Sequence, residues 1–188
     1  DENPYDPERS SLLMLGRLGS RKGVYDLLEV LRQIDDQLPP ETECFLCGDG
    51  EVEKVREYVR RYGLAHRVTW VGWADGAQRQ KLMELAGIHI LPSYHEGLPM
   101  AILETMAAGI PNISTEIASI PEVIEHGRTG LLIRPGDREA LAEAILSLLS
   151  DKKKREALSR DSHACIQQQF SLDVHMKELH RIYDALLR

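Results

Sequence analysis

The sequence predicts an α/β fold with three layers, in which a parallel β-sheet carries helices on both of its faces. Short apolar runs alternate along the chain with longer stretches whose apolar residues recur at helical spacing. The first four apolar runs end at a glycine or a proline, as expected where a buried strand leads into a loop. Strands that alternate with helices form a parallel sheet connected by right-handed crossovers.

The first half of the chain contains three predicted strands. Leu12–Leu15 is apolar and is closed by a glycine, and the stretch after it carries one apolar helical face, formed by Leu27, Leu28, Leu31 and Ile34. Two prolines end that helix, and Cys44–Cys47 is the second strand. Val52–Tyr62 is predicted to be an exposed helix, and Val68–Val71 is the third strand.

The second half repeats the alternation and then becomes helical. Gln78–Ala86 is a predicted helix and Ile88–Pro92 the fourth strand, and the next helix runs from about Met100 to Gly109. The fifth strand contains Ile113, and the sixth covers Gly130–Ile133. Three helices follow. Asp137 caps the first of them, whose core face carries Leu141, Ala144, Ile145 and Leu148, and the last runs from Ser171 to Arg188.

Composition excludes some classes of function. Aromatic residues make up 5% of the 188 residues and the net charge is −7, so no nucleic-acid partner is expected. A small anion can still bind where local cations outweigh the net charge. No apolar run is long enough to span a membrane and the chain starts without a signal peptide, which favours a cytoplasmic location.

The predicted organisation is a single domain, residues 11–188, preceded by a polar lead-in, residues 1–10. The chain begins at Asp1 without a methionine, so we interpret it as a fragment or a processed product. Cys44 and Cys47 are three residues apart on a strand and should face opposite sides, which favours core packing over a metal or redox pair. Trp70 and Trp73 lie on either side of a strand end, where core or rim packing is favoured over base stacking.

Three segments that follow predicted strands carry candidate chemistry. Gly16, Arg17 and Lys22 follow the first strand, where two cations and a helix start could neutralise a diphosphate. Gly48 and Gly50 follow the second strand, where glycine permits a tight turn close to a ligand. Alone, each of these two segments is also typical of an ordinary surface turn.

The third segment follows the fourth strand and is the strongest signal. Its loop carries Glu96, and a helix that starts near Pro99 carries Glu104. Carboxylates accept hydrogen bonds from vicinal hydroxyls, so the two acids could bind two sugar rings on either side of a diphosphate. Either acid alone is as typical of a helix cap or a helix surface.

Together these motifs resemble the retaining glycosyltransferases of family four, the glycosyl transferases group 1. The resemblance covers Leu12 to Arg188 and includes Gly16-Arg17, Lys22-Gly23, Gly48-Asp49-Gly50, Glu96 with Glu104, Ala107–Pro111, Ile120–Ile124 and Gly127-x-x-Gly130. It implies a Rossmann-like domain, the C-terminal half of the two-domain GT-B architecture. It also implies transfer of a sugar, with retention, from a UDP- or GDP-linked donor to a sugar, lipid or glycan acceptor.

The resemblance implies a role for each candidate. Arg17 and Lys22 would stabilise the departing diphosphate, Glu96 would hold hydroxyls of the donor sugar, and Glu104 would bind the ribose. Backbone amides of Gly97, Leu98 and Met100 would support the sugar and phosphate, with Gly16, Gly48 and Gly50 beside the donor. No metal and no other cofactor is implied, because the nucleotide sugar is a substrate.

Two positions depart from the family pattern. Ala118-Ser119 stands where the family often has Gly-Gly, so close backbone approach to the phosphates is in doubt there. Asn112 stands where the family has an apolar strand residue.

Two other readings compete with the transferase. An epimerase-type or simple nucleotide-sugar-binding protein on a related fold would need an acid–base pair across the sugar, and only Glu96 is a candidate. A receiver domain would need an acidic cluster at the strand ends, where this chain has glycine, arginine and lysine. The sequence leaves the sugar, the base and the acceptor open.

The chain alone is expected to be inactive, because in the family an N-terminal acceptor domain, which is absent here, faces this one. The full-length enzyme is a candidate for peripheral association with the inner face of the membrane. The final helix carries an apolar stripe that should pack on this domain or lie partly exposed, and exposure would favour self-association. That stripe consists of Leu172, Met176, Leu179, Tyr183 and Leu186.

Overall fold

The computed structural model describes residues 2–186, with the exception of the side chain of Glu178. Its six described strands form one parallel sheet in the order β3-β2-β1-β4-β5-β6. The strands are β1 Ser11–Leu15, β2 Cys44–Cys47, β3 Val68–Gly72, β4 Ala86–Leu91, β5 Asn112–Thr115 and β6 Leu131–Ile133. This is the doubly wound order in which the winding direction reverses between β1 and β4.

Helices connect the strands and close the chain. They are α1 Val24–Ile34, α2 Val52–Arg61, α3 Gly76–Leu85, α4 Met100–Ala107, α5 Ile120–Val123, α6 Arg138–Ser150, α7 Lys152–Cys165 and α8 Leu172–Leu186. A π-helical segment, Ile166–Phe170, joins α7 to α8. Asp137 caps α6 by accepting a hydrogen bond from the Ala140 amide at 2.9 Å, as predicted.

Both faces of the sheet are buried, which confirms the three-layer prediction. Alternate residues of β1 enter different apolar clusters: Leu12 and Met14 pack in one, and Leu13 and Leu15 in the other. Cys44 and Cys47 divide in the same way, so the two thiols lie on opposite faces of β2. Burial raises the pKa of Cys44 to about 12, which keeps this thiol protonated and unreactive.

The segment before β1 packs against the domain. The Tyr5 hydroxyl donates to the Gly87 carbonyl of β4 at 2.9 Å, and the Arg155 guanidinium of α7 donates to the Pro7 carbonyl at 2.7 Å. Burial raises the pKa of Tyr5 to about 12. The described lead-in residues therefore run along the domain and contact both β4 and α7.

The apolar stripe of α8 lies largely exposed. Leu172 and Leu186 are 74% and 76% exposed, and Met176 and Tyr183 are also exposed. The end of the predicted helix, residues 187–188, lies outside the described residues. Within residues 2–186, no helix combines the length and the apolar character needed to cross a membrane.

Candidate functional site

A cavity of about 340 Å³ lies at the carboxyl ends of β1, β2 and β4, next to the point where the winding reverses. Strand ends form its floor, the amino end of α4 and the β3–α3 loop contribute walls, and three basic side chains line it. Its lining residues are Leu15, Gly16, Arg17, Lys22, Cys47, Gly48, Trp73, Ala74, Arg79, Leu91, Pro99, Met100 and Ala101. In doubly wound sheets this edge is where ligands bind.

This cavity is chosen as the candidate site for its position at the carboxyl ends of the strands, because another crevice of the domain is larger. A more polar crevice of about 400 Å³ lies between α5, the turn that precedes β6, and α7 with its π-helical extension. Because all strands are parallel, the turn before β6 lies at the amino ends of the strands, opposite the edge that carries the predicted site residues.

Lys22 and Glu96 meet at the cavity. The Lys22 ammonium donates to Oε1 of Glu96 at 2.6 Å, and the Ser93 hydroxyl donates to the same oxygen at 2.6 Å. The Glu96 side chain is 5% exposed and that of Lys22 is 20% exposed. Oε2 of Glu96 accepts no hydrogen bond from the residues that the structure describes, so it can still accept one from a ligand.

The loop that carries Glu96 is held at several points. The Tyr94 amide donates to the Arg21 carbonyl at 2.9 Å, and the Tyr94 hydroxyl donates to the buried Asp26 of α1 at 2.7 Å. Arg138 of α6 donates to the other Asp26 oxygen at 2.6 Å. The hydrogen bond to Asp26, together with burial, raises the pKa of Tyr94. This network fixes the backbone around Glu96 before any ligand arrives.

Gly48 and Gly50 bring two loops together. A Cβ atom on Gly48 would lie 1.9 Å from the Gly16 carbonyl oxygen, and one on Gly50 would lie 2.3 Å from the Leu18 carbonyl oxygen. Both glycines also have positive φ angles, 151° and 111°. The close approach that they permit is therefore between the loops after β1 and β2. Gly48 also lines the cavity, whereas Gly50 lines a neighbouring one of about 480 Å³.

Glu104 pairs with a residue that the sequence did not single out. The guanidinium of Arg79, on α3, forms an ion pair with Oε2 of Glu104 on α4. Arg79 lines the cavity, whereas Glu104 does not, so Arg79 connects this carboxylate to the cavity. An arginine on a polar helix carries no sequence signal that separates it from a solvated one.

The remaining candidates are divided between the cavity and its surroundings. Met100 is the first residue of α4 and lines the cavity, but Pro99 precedes the helix as its N-cap instead of lying in the first turn. Gly97 and Leu98 lie in the exposed loop before α4, outside the cavity lining. Arg17 lines the cavity and has no carboxylate partner among the described side chains, so it is available to an anion.

Trp70 and Trp73 have different environments. Trp70 packs as predicted: its indole nitrogen donates to the Gly48 carbonyl at 3.0 Å, and the Arg56 guanidinium lies 4.3 Å from its ring centroid. Trp73 is 75% exposed and lines the cavity, so it does not pack in the core. Its flat ring is therefore accessible to a ligand that enters the cavity.

Metal coordination has no obvious centre in the described residues. Within residues 2–186, no three His, Cys, Asp or Glu side chains converge as ligands for an ion. Three cations and the amino end of α4 instead supply the positive charge at the cavity.

Apolar walls, basic side chains and a helix start at the switch point of a doubly wound sheet are the features of a domain that binds a phosphorylated ligand. Comparison of the sequence with known protein families identifies the family of this chain. The model of the glycosyl transferases group 1 matches residues 1–163, and the chain belongs to that family.

Relatives and solved structures agree with this assignment. The chain is 28% identical to N-acetyl-alpha-D-glucosaminyl L-malate synthase of Bacillus anthracis over 178 residues, 94% of this chain and 46% of that protein. Anabaena HepE, solved in complex with UDP-glucose, superposes with a TM-score of 0.83 and 25% identity over 94% of this chain and 49% of HepE.

A third comparison concerns a single domain. The C-terminal domain of a glycosyl transferase group 1 family protein from Francisella tularensis superposes with a TM-score of 0.79 over 86% of each chain; at 21% identity this shows the fold alone. The part of the Bacillus anthracis enzyme that this chain matches is less than half of that enzyme's length.

Proposed function

We propose that this chain is the donor-binding domain of a retaining glycosyltransferase that takes its sugar from a UDP- or GDP-linked donor. The observation that carries the proposal is the cavity at the strand ends, where Arg17, Lys22 and Arg79 and the start of α4 surround a volume of about 340 Å³. The family membership and the UDP-glucose bound to HepE support it.

The ion pair between Lys22 and Glu96 supports a sequence of contacts by which the donor would bind. Lys22 neutralises Glu96 at 2.6 Å. A diphosphate offers Lys22 a more highly charged partner, and Arg17 a partner where it now has no carboxylate. As Lys22 turns toward the phosphates, the Glu96 oxygen that it held becomes available to a sugar hydroxyl.

Catalysis would then depend on the leaving group. As the bond from C1 of the sugar to the diphosphate breaks, negative charge grows on the phosphate oxygen and an oxocarbenium-like centre forms. Arg17, Lys22 and the amides of α4 would stabilise that charge, a role that a metal ion has in other enzymes. Removal of one such donor typically costs about 2.7–4 kcal/mol of barrier. Metal independence and retention stay predictions.

An epimerase-type protein is less well supported. Epimerisation requires an acid and a base on opposite sides of the sugar, and none of the described residues that line the cavity is Asp, Glu, His or Tyr. Glu96 approaches the cavity only through its pair with Lys22.

Calorimetric titration with UDP, GDP and ADP tests the proposal. At least one of them should bind the wild type, and Lys22→Met should weaken that nucleotide by about tenfold or more, because a hydrogen bond to a charged group contributes about 1.5–3 kcal/mol. Lys81→Met is the matched control, since Lys81 is exposed on α3 outside the cavity lining. Equal affinity of the two variants would contradict the assignment of the phosphate site.

The whole protein's reaction is a further part of the proposal. Because the chain spans less than half the length of its relatives, we propose that a second domain holds the sugar, lipid or glycan acceptor and that this chain alone does not transfer sugar. Positioning of two reactants can account for roughly 7–11 kcal/mol of a barrier. Comparable turnover by this chain and by an N-terminally extended protein would refute this part. Cytoplasmic location and peripheral membrane contact stay predictions.

A further inference from the structure

Arg79 occupies a defined place in the cavity wall. Its helix, α3, begins at a capping box in which Asp75 accepts a hydrogen bond from the Gln78 amide at 2.9 Å and the Gln78 side chain accepts from the Asp75 amide at 3.3 Å. This start fixes the first turn of α3 and places Arg79, the next residue, at the cavity.

The pair between Arg79 and Glu104 is a poor source of stability. Their side chains are 32% and 37% exposed. Partly exposed pairs of this kind typically contribute about 0–1 kcal/mol to folding, because water screens the charges and two long side chains lose freedom. The pair joins α3 to α4, and the amino end of α4 lines the cavity. This location indicates a role in ligand binding.

Arg79 can assist binding by neutralising the negative charge of Glu104. Glu104 follows Met100 by four residues on α4, so the two share one helix face, and Met100 lines the cavity. An uncompensated carboxylate there would repel an incoming diphosphate. Arg79 neutralises it through an ion pair with Oε2, although the two do not form a hydrogen bond. Oε1 accepts no hydrogen bond from the described residues, so it can accept one from a hydroxyl.

We propose that Arg79 is a positioning residue for the nucleoside end of the donor site: it orients Glu104 and cancels its charge, so that Glu104 can bind ribose hydroxyls beside a diphosphate. The inference rests on the proposed function. It gives the cavity two cation–carboxylate pairs, Lys22 with Glu96 and Arg79 with Glu104.

A double-mutant cycle with UDP as the probe tests the inference, or with GDP or ADP if that nucleotide binds the wild type more tightly. Arg79→Met should weaken binding by about tenfold, a change equivalent to about 1.4 kcal/mol. In a Glu104→Gln background the same substitution should change the affinity by less than about twofold, because the partner through which Arg79 acts has lost its charge. Arg79→Lys should retain most of the affinity, and Lys81→Met should retain all of it.

The melting temperature of each variant separates a binding role from a structural one. We expect Arg79→Met to melt within about two degrees of the wild type, since the pair contributes little to folding. An equal loss of affinity in both backgrounds would overturn the inference, because Arg79 would then contact the nucleotide directly. Nucleotide binding that is indifferent to Arg79 would also overturn it, while leaving the proposed function intact. Binding of no nucleotide to the wild type would refute the proposed function itself.

Discussion

His89 lies fully buried in β4, and its reluctance to accept a proton there should make the folded protein less stable in mild acid. Its Nδ1 lies 2.6 Å from Oδ1 of Asn112 on β5, and Asn112 donates through its amide nitrogen to the Ile110 carbonyl at 2.8 Å. Because that second bond orients the Asn112 amide, Oδ1 faces the imidazole and Nδ1 must carry the hydrogen. Protonation would therefore occur at Nε2, which has no partner among the described residues. Burial lowers the pKa of His89 to about 4.

The sign and size of the effect follow from these values. Above pH 6.5, the usual pKa of histidine, His89 is neutral in both the folded and the unfolded chain. It therefore contributes nothing to the pH dependence of the free energy of unfolding in that range. Between pH 6.5 and 4 the unfolded chain binds a proton that the folded chain does not, so the free energy of unfolding falls. The loss from this residue is about 2 kcal/mol at pH 5 and about 3 kcal/mol below pH 4.

Urea unfolding at pH 7 and pH 5 measures this loss. His89→Gln keeps a hydrogen-bonding side chain but cannot titrate, so its free energy of unfolding should fall by about 2 kcal/mol less than that of the wild type over this interval. His175→Gln is the control, because His175 is exposed on α8 and should behave as the wild type does. If wild type and His89→Gln lost the same free energy, the low pKa assigned to His89 would be wrong.

Three further outcomes are expected. Ala118 has a φ of 47°, a left-handed conformation that costs a residue with a Cβ about 1–2 kcal/mol, so Ala118→Gly should leave thermal stability unchanged or raise it, whereas Ala142→Gly within α6 should lower it by about 0.5–1 kcal/mol. Gly48→Ala would drive its Cβ into the Gly16 carbonyl, and nucleotide affinity measured by calorimetry should fall together with the melting temperature. Asp26→Asn should weaken UDP-glucose more than UDP, because the Glu96 loop loses its charged anchor; equal weakening of both ligands would argue against that role.

Most of the fold could be predicted because several strands are buried on both faces and therefore appear as continuous apolar runs, as in Leu12–Leu15 and Cys44–Cys47. The start of β4 was missed: Ala86 and Gly87 have little intrinsic strand preference, and pairing with β1 includes Ala86 in the sheet. The four residues of α5 are too few to show helical periodicity.

The site was predictable where a residue follows a strand and not where it depends on a distant partner. Lys22 and Glu96 were placed at one sheet edge, and the structure brings them into contact at 2.6 Å. Their mutual pairing was not foreseen, because sequence spacing does not reveal which cation neutralises which acid. The polar side chain of Asn112 in a buried strand is explained by its hydrogen bond with His89, which lies 23 residues earlier and could not be identified as its partner from sequence.

The same limit applies to the departure from the family pattern at Ala118-Ser119. Ala118 adopts a positive φ of 47° without being glycine, which the sequence did not predict. The left-handed conformation is therefore kept at a cost, as happens when neighbouring segments fix the backbone. Whether this loop approaches a phosphate stays a prediction.

The different surroundings of the two tryptophans give the protein an intrinsic optical reporter. The sequence contains only Trp70 and Trp73. Trp70 is held by the Gly48 carbonyl and by Arg56 and does not line the cavity, whereas Trp73 is 75% exposed and lines it. A ligand that covers the Trp73 indole excludes water from it, and an arriving nucleobase can quench it by stacking. Fluorescence of the unlabelled protein can thus follow the occupation of the cavity in real time, including the rate at which a ligand enters and leaves.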